Sequence, residues 1–311
     1  MSYGRITGWA TNLPDRVLTN DDLAQMVDTS DEWITARTGI KTRHIDGKVT
    51  EMSSAAALDA MKMAGVSPDQ IDLLLLATTS PDQQIPASAS VIQDNLGLSC
   101  GAFDLNAACS GFVYGLVTAM QFIQGGMKRI LVIGSDSLSS ITNWEDRGTC
   151  ILFGDGAGAV IVEDSADEPS LLGWDLMSNG DAADLLYCEH GDNIVMDGQA
   201  VFRKAVLAME AAAINAMEKA GVTSDQIKLV VPHQANVRII EAALKRLDIS
   251  IEKAALVLSY TGNTSAASIP LALVDALDAE RVDSGDLILL VGFGAGMTSA
   301  AAVVRWDPPT V

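Results

Sequence analysis

The chain carries an internal repeat. Ala60-Met-Lys-Met-Ala-Gly-Val-Ser-Pro-Asp-Gln-Ile71-Asp-Leu-Leu-Leu-Leu and Ala216-Met-Glu-Lys-Ala-Gly-Val-Thr-Ser-Asp-Gln-Ile227-Lys-Leu-Val-Val-Pro share one pattern at an offset of 156 residues. Ile130-Leu-Val-Ile-Gly134 matches Ile288-Leu-Leu-Val-Gly292 at an offset of 158. Two separated matches at nearly one offset point to a duplication. Each half is then expected to be one unit of strands and helices, 1–164 and 165–311, with a site where the units meet. The polar stretch Asp164-Ser-Ala-Asp-Glu-Pro169 is the expected junction.

Hydrophobic periodicity fills in both units. Strand signals fall at 4–10, 73–78, 103–105, 130–133 and 157–162 in the first half, and at 171–176, 228–231, 255–258, 287–291 and 300–305 in the second. Helical spacing occupies 53–64, 87–96, 110–125, 201–220, 237–247 and 266–279. Thr29-Ser-Asp-Glu32 reads as a capping box for a helix through 33–37. Strands alternating with helices of this length predict an α/β fold with largely parallel sheets covered on both faces.

Composition narrows the function. A net charge of −20 disfavours nucleic acid and anionic membrane surfaces as partners. The longest apolar runs, at 73–77 and 287–291, are far too short to span a bilayer. No signal peptide is visible at the N-terminus, and the four cysteines show no Cys-x-x-Cys spacing. A cytoplasmic protein with reduced thiols and no metal centre is therefore expected.

Chemistry concentrates in three loops. Cys109 lies in Asp104-Leu-Asn-Ala-Ala-Cys-Ser-Gly-Phe112, where a strand ends and a small-residue helix begins. A thiol at a helix N-terminus is expected to have a lowered pKa, although buried free cysteines are commonly inert. His233, one of only three histidines, directly follows the strand at 228–231. Loops past strand ends are where open α/β sheets place ligands, although a lone histidine also serves well as a hydrogen-bonded core residue. Asn263 sits in Ser259-Tyr-Thr-Gly-Asn-Thr-Ser, and the repeat maps it near position 107, two residues from Cys109. The two loops are thus expected to face each other. Phe153-Gly-Asp-Gly-Ala-Gly158 precedes a strand rather than joining strand to helix, so it reads as a turn and not a dinucleotide site. The glycines of Gly292-Phe-Gly-Ala-Gly296 allow backbone amides to approach a reacting carbonyl.

Taken together, Asn-Ala-Ala-Cys109-Ser-Gly-Phe, Val-Pro-His233-Gln-Ala-Asn-Val-Arg238, Thr-Gly-Asn263-Thr-Ser-Ala-Ala-Ser-Ile-Pro and Gly-Phe-Gly-Ala-Gly296 resemble β-ketoacyl-acyl-carrier-protein synthase III. These are the initiating condensing enzymes of bacterial type II fatty acid synthesis, and the similarity runs over residues 6–304. The resemblance implies a homodimeric thiolase-like fold of five αβαβα layers from two duplicated halves. It implies decarboxylating condensation of an acyl-CoA primer with malonyl-acyl carrier protein, without metal or organic cofactor. Cys109 would carry the acyl group. His233 and Asn263 would stabilise the enolate, and the backbone amides of Cys109 and Ala295 would hold the oxyanion. Trp33, Arg37 and Arg147 match residues that hold the adenine of coenzyme A. Ile85 and Phe293 match acyl-pocket positions, and Arg203, Arg238, Lys245 and Arg246 match a carrier-protein patch.

Two departures stand out. Ile85 replaces the phenylalanine of acetyl-selective members, a residue contributed across the dimer, and Met-Thr-Ser follows the glycine turn in place of Thr-Trp-Gly. A relative using the same Cys–His–Asn set in secondary metabolism or for another acceptor is the nearest alternative. A non-catalytic acyl-binding protein on this fold is the alternative of another class, and it predicts no acyl transfer to Cys109.

Overall fold

The computed structural model of the protein describes residues 3–165 and 168–307. Ala166 and Asp167 of the expected junction lie outside the described residues.

The first sheet holds β1 (Tyr3–Asn12), β2 (Leu73–Ala77), β3 (Gly101–Leu105), β4 (Arg129–Ser137) and β5 (Asp155–Ser165), in the order β1-β5-β4-β2-β3. The second holds β6 (Leu171–Met177), β7 (Ile227–Pro232), β8 (Leu287–Gly294) and β9 (Thr298–Arg305), in the order β7-β8-β9-β6. Read from its other end, β6-β9-β8-β7, the second sheet retraces the first and lacks only its last strand.

That missing strand corrects the expectation for 255–258. Ala254 makes an isolated bridge beside Val230, and the chain then enters the short helix Leu258–Thr261. The reason is a buried side chain. Gln234 Oε1 accepts from the amides of Val257 and Leu258 at 3.1 and 3.2 Å, which takes the donors a longer ladder would need.

The sheets are also mixed rather than largely parallel. In the two large sheets β2–β3, β2–β4 and β7–β8 run parallel, whereas β1–β5, β4–β5, β8–β9 and β9–β6 are antiparallel. Between β8 and β9 only a glycine turn intervenes, and a connection that short permits an antiparallel pair alone.

Seven helices position the site: α1 (Asp31–Thr38), α2 (Val49–Ala64), α3 (Ser88–Asn95), α4 (Gly111–Gln124), α5 (Gly198–Ala220), α6 (Val237–Arg246) and α7 (Ser268–Asp278). The cap of α1 is Ser30, whose hydroxyl accepts from the Trp33 amide at 3.2 Å, so the box expected from Thr29 to Glu32 is replaced by a cap one residue later. The duplication is visible at the helix ends. α2 and α5 stop at Gly65 (φ 66) and Gly221 (φ 68), and each is followed by a capping box, Ser67 with Gln70 and Thr223 with Gln226. A left-handed residue there favours glycine because it has no Cβ.

Strand alternation divides the core into layers. Leu73, Leu75, Ile130 and Val132 of the first sheet, and Leu229, Val231, Ile288 and Leu290 of the second, face the helices α4 and α7 in one central core. The alternate residues Leu74, Leu76, Leu131 and Ile133 face α2 and α3, while Val230, Leu289 and Val291 face α5 and α6. Each such aliphatic side chain stabilises the fold by about 1.5–3 kcal/mol when fully buried. The result is the five-layer αβαβα thiolase-like arrangement, with both small-residue helices sealed between the sheets.

Candidate active site

Cys109 lies in a tight turn, Ala108–Ser110, between β3 and α4. The second half builds the same turn at Ser265–Ala267 before α7. Ala108 and Ser265 have matching left-handed φ values, 48 and 49. Asn106 Oδ1 accepts from the Ala108 amide at 3.1 Å, and Asn263 Oδ1 accepts from the Ser265 amide at 2.9 Å. Asn263 is therefore the counterpart of Asn106, one residue from the position the repeat assigned it. With its carbonyl oxygen committed, Asn263 has its Nδ2 donors free to serve another group.

Cys109 (9% exposed), His233 (1%) and Asn263 (7%) line one cavity of about 530 Å³, together with Phe293. The imidazole packs edge-on against the Phe293 ring with centroids 5.3 Å apart. Its Nδ1 lies 2.6 Å from the Ser268 hydroxyl. A hydroxyl donating there places the imidazole proton on Nε2. Burial lowers His233 from 6.5 to about 3, so the ring is neutral near pH 7. Ser268 and Ser265 were not singled out from the sequence. Their counterparts are Gly111 and Ala108, and a Cβ on Gly111 would lie 3.0 Å from that of Ala77, the counterpart of His233. The signal was thus present in the repeat, but only the packing of one half reveals it.

The thiol corrects an expectation. Burial pushes Cys109 up to about 12; a hydrogen bond with Ser265 works against this, and the nearby Asp136 charge adds to it. The helix N-terminus pulls the other way. Attack therefore requires the proton to leave as the new bond forms.

His233 also ties stability to pH. As pH falls below about 6.5 the unfolded imidazole takes up a proton, which the folded site refuses until about 3. The group's contribution is complete above about pH 6.5 and is lost as pH falls toward 3, at up to about 1.4 kcal/mol per pH unit. His233→Gln is expected to show a shallower fall of the urea midpoint between about pH 6 and pH 4 than the wild type.

A second cavity of about 390 Å³ also opens onto Cys109. Leu138, Ile141, Phe153, Leu186 and Ile194 supply apolar walls, and Ala295 lines it beside the thiol. Gly294 packs on the nucleophile so closely that a Cβ there would lie 2.6 Å from the Cys109 amide nitrogen. Ile85 lines neither cavity of its own chain and is 83% exposed. Its side chain lies on the surface segment between β2 and α3.

Of the remaining residues, Arg37, Arg203 and Arg238 line the first cavity, while Trp33, Arg147, Lys245 and Arg246 lie outside its lining. Arg37 stacks on Trp33, with the guanidinium carbon 4.3 Å from the ring centroid; Arg147 stacks at 4.9 Å and donates to the Asp28 carbonyl at 3.0 Å. Admitting a planar base against the indole requires a guanidinium to move aside. An exposed contact of this kind is worth only about 0.5–1 kcal/mol. Arg203 and Arg238 line the same cavity. Lys245 lies further along α6, and Arg246 is paired with Glu210 of α5.

Comparison with known proteins places this geometry. Residues 103–180 match the family description 3-oxoacyl-[acyl-carrier-protein] synthase III, and residues 217–306 match its C-terminal description. The chain is 45% identical to β-ketoacyl-[acyl-carrier-protein] synthase III of Oceanobacillus iheyensis, over 97% of this chain and 98% of that protein. It is 46% identical to the protein of that name from Geobacillus kaustophilus, over 97% and 98%. The crystal structure of 3-oxoacyl-[acyl-carrier-protein] synthase III from Aquifex aeolicus superposes with a TM-score of 0.95 at 45% identity, covering 98% of this chain and all of that one. A priming β-ketosynthase from a polyketide biosynthetic pathway superposes at 0.94 with 34% identity, covering 99% and 97%.

Proposed function

The chain belongs to the 3-oxoacyl-[acyl-carrier-protein] synthase III family, and on that footing we propose how its own residues perform the initiating condensation of type II fatty acid synthesis. One observation carries the reading. Cys109 of the first half shares a cavity with His233 and Asn263 of the second, and also opens onto a separate apolar cavity.

Cys109 Sγ attacks the thioester carbon of an acyl-CoA, the carbon–sulfur bond to coenzyme A breaks, and the thiol proton leaves with the released thiol. The acyl chain rests in the 390 Å³ cavity. Malonyl-acyl carrier protein then places its thioester in the vacated 530 Å³ cavity. Carbon dioxide departs, and the electron pair passes to the thioester oxygen as an enolate. Two neutral donors, His233 Nε2–H and Asn263 Nδ2–H, hold that oxygen. The enolate carbon attacks the acyl-cysteine carbonyl, whose oxyanion is held by the amides of Cys109 and Ala295; the carbon–sulfur bond to Cys109 then breaks, the 3-oxoacyl thioester is released, and the thiolate takes up a proton from water. The chemistry is assigned to side chains and backbone amides, with acyl-CoA as a substrate and no metal or organic cofactor.

Trp33, Arg37 and Arg147 are assigned to the adenine of coenzyme A. Arg203, Arg238, Lys245 and Arg246 are assigned to the acidic carrier. Around them the chain is strongly acidic, so Arg238→Glu removes attraction and adds repulsion. It is expected to raise the KM for malonyl-carrier protein in a salt-dependent way, and by more than it raises the KM for acyl-CoA. Equal loss in both half-reactions would refute the assignment.

A homodimer is also proposed. Ile85 stands 83% exposed, and β3 is a sheet edge with Phe103 39% exposed, both suited to cover by a second copy.

Intact-protein mass spectrometry after incubation with a panel of acyl-CoA thioesters tests the whole reading. A cavity of about 390 Å³ exceeds what an acetyl group fills. Butyryl- and isobutyryl-CoA are expected to acylate Cys109 at least comparably with acetyl-CoA, because an added methylene in an apolar pocket is worth roughly 1–3 kcal/mol. Strong acetyl preference would show that the walls close on binding. A carrier comparison, fatty acid against polyketide, separates the main reading from its relative.

A further inference from the structure

The two halves cross at their catalytic turns, and at one point they differ. By the offset of 158, Gly134 corresponds to Gly292 and Asp136 to Gly294; by the matching turns, Cys109 corresponds to Ala266. A Cβ on Gly134 would lie 2.3 Å from the Ala266 carbonyl oxygen, and one on Gly292 would lie 3.5 Å from that of Cys109. Each strand end thus packs against the other half's turn. Two residues on, the symmetry breaks. Gly294 presents no side chain to the Cys109 amide, whereas Asp136 Oδ2 accepts from the Ala266 amide at 3.0 Å.

Asp136 is wholly buried. Its Oδ1 accepts from Thr78 Oγ1 at 3.1 Å, from Thr79 through the amide at 2.7 Å and the hydroxyl at 3.0 Å, and from Ser80 through the amide at 3.0 Å and the hydroxyl at 2.7 Å. One oxygen is therefore fixed within the first half, and the other is bound across the boundary. The turn it grips runs directly into both donors. Ser265, one residue before Ala266, fixes the Asn263 carbonyl oxygen; Ser268, two residues after, holds His233 Nδ1.

We propose that Asp136 is a positioning residue for the decarboxylation step: it anchors the 265–267 turn across the half boundary and so sets where Asn263 and His233 point. The inference rests on the proposed roles of those two residues. Asp136 touches no substrate in this account. Its counterpart position, Gly294, is left bare, so the Cys109 amide stays available to the reaction.

Asp136→Asn tests this with little change of shape. The amide oxygen can satisfy the donors of Thr78, Thr79 and Ser80, but its NH₂ then faces the Ala266 N–H, donor against donor. Acylation of Cys109 draws mainly on the other turn, and loss of the Asp136 charge eases rather than impedes departure of the thiol proton. Small misplacements of catalytic groups cost up to about a hundredfold, so malonyl-thioester decarboxylation is expected to fall at least about tenfold while single-turnover acylation falls by no more than about threefold. A second variant avoids altering the buried carboxylate. Replacing the Ala266 residue by its α-hydroxy acid, lactate, exchanges the N–H for an ester oxygen, and it should reproduce the same split. If Asp136→Asn does not fold, the ester variant decides alone. Equal loss in both half-reactions, or unchanged decarboxylation, would overturn the proposal. Asn263→Ala is run beside them. If it keeps full decarboxylation, the assigned role of Asn263 fails and the Asp136 proposal falls with it; if it loses decarboxylation and the other two do not, only the Asp136 proposal fails.

Discussion

Cys109→Ala is expected to abolish the covalent acyl-enzyme and to reduce condensation by roughly four or more orders of magnitude. The structure identifies the competitor that makes this a real test. Cys188 is exposed and lines the same 390 Å³ cavity as Cys109. Its thiol, however, donates to the Asp192 carbonyl at 3.2 Å, and burial together with the Asp192 and Glu189 charges raises its pKa. It also lacks a facing imidazole in the first cavity. Cys150 is sealed in a small core cluster, and Cys100 lies away from both cavities. Intact mass after incubation with acyl-CoA should show no adduct on Cys109→Ala and a normal adduct on Cys188→Ala. An acyl mass that persists without Cys109 would end the assignment and favour Cys188.

His233→Ala and Asn263→Ala are each expected to slow carbon dioxide release from malonyl thioesters by about a hundredfold or more, while still accepting an acyl group from acyl-CoA. Preorganisation is the reason for so large an effect. The Ser268 hydroxyl fixes one ring nitrogen, and the Ser265 amide fixes the asparagine oxygen, so both remaining donors are aimed before substrate arrives. Because they hold one oxygen, the double variant should lose much less than the product of the single losses. Labelled malonyl thioester separates the steps. Loss of acylation with decarboxylation intact would reverse the roles.

Much of this was legible in the residues. The repeat predicted two like units, and the sheets follow one strand path. Continuous apolar runs marked β2 and β8, and helical spacing stopped at 64 and 220, where α2 and α5 end. Other features depend on contacts between distant segments. The strand at 255–258 gave way to a bridge because buried Gln234 took its amides. Parallel pairing was overestimated because β5 and β9 run against the other strands of their sheets, a reversal set by where the chain returns and not by local pattern. The Cys109 shift was misjudged because a helix terminus is readable from sequence, whereas full desolvation is not. Asp136 was overlooked entirely; nothing local distinguishes it from a surface carboxylate until Thr78 to Ser80 and Ala266 converge on it.

The central layer also has a mechanical consequence. Phe112, Leu116 and Met120 of α4 and Ile269 and Leu273 of α7 share one core with the inner faces of both sheets. Swinging the halves apart would strip that core at about 1.5–3 kcal/mol for each large side chain, so the molecule has no clamshell to open. What reaches Cys109 therefore comes in through a fixed cavity, such as the one lined by Arg37, Phe202, Arg203 and Arg238. Such an entrance sorts visitors by cross-section before chemistry begins: a slim arm can pass while the bulky body that carries it waits at the rim.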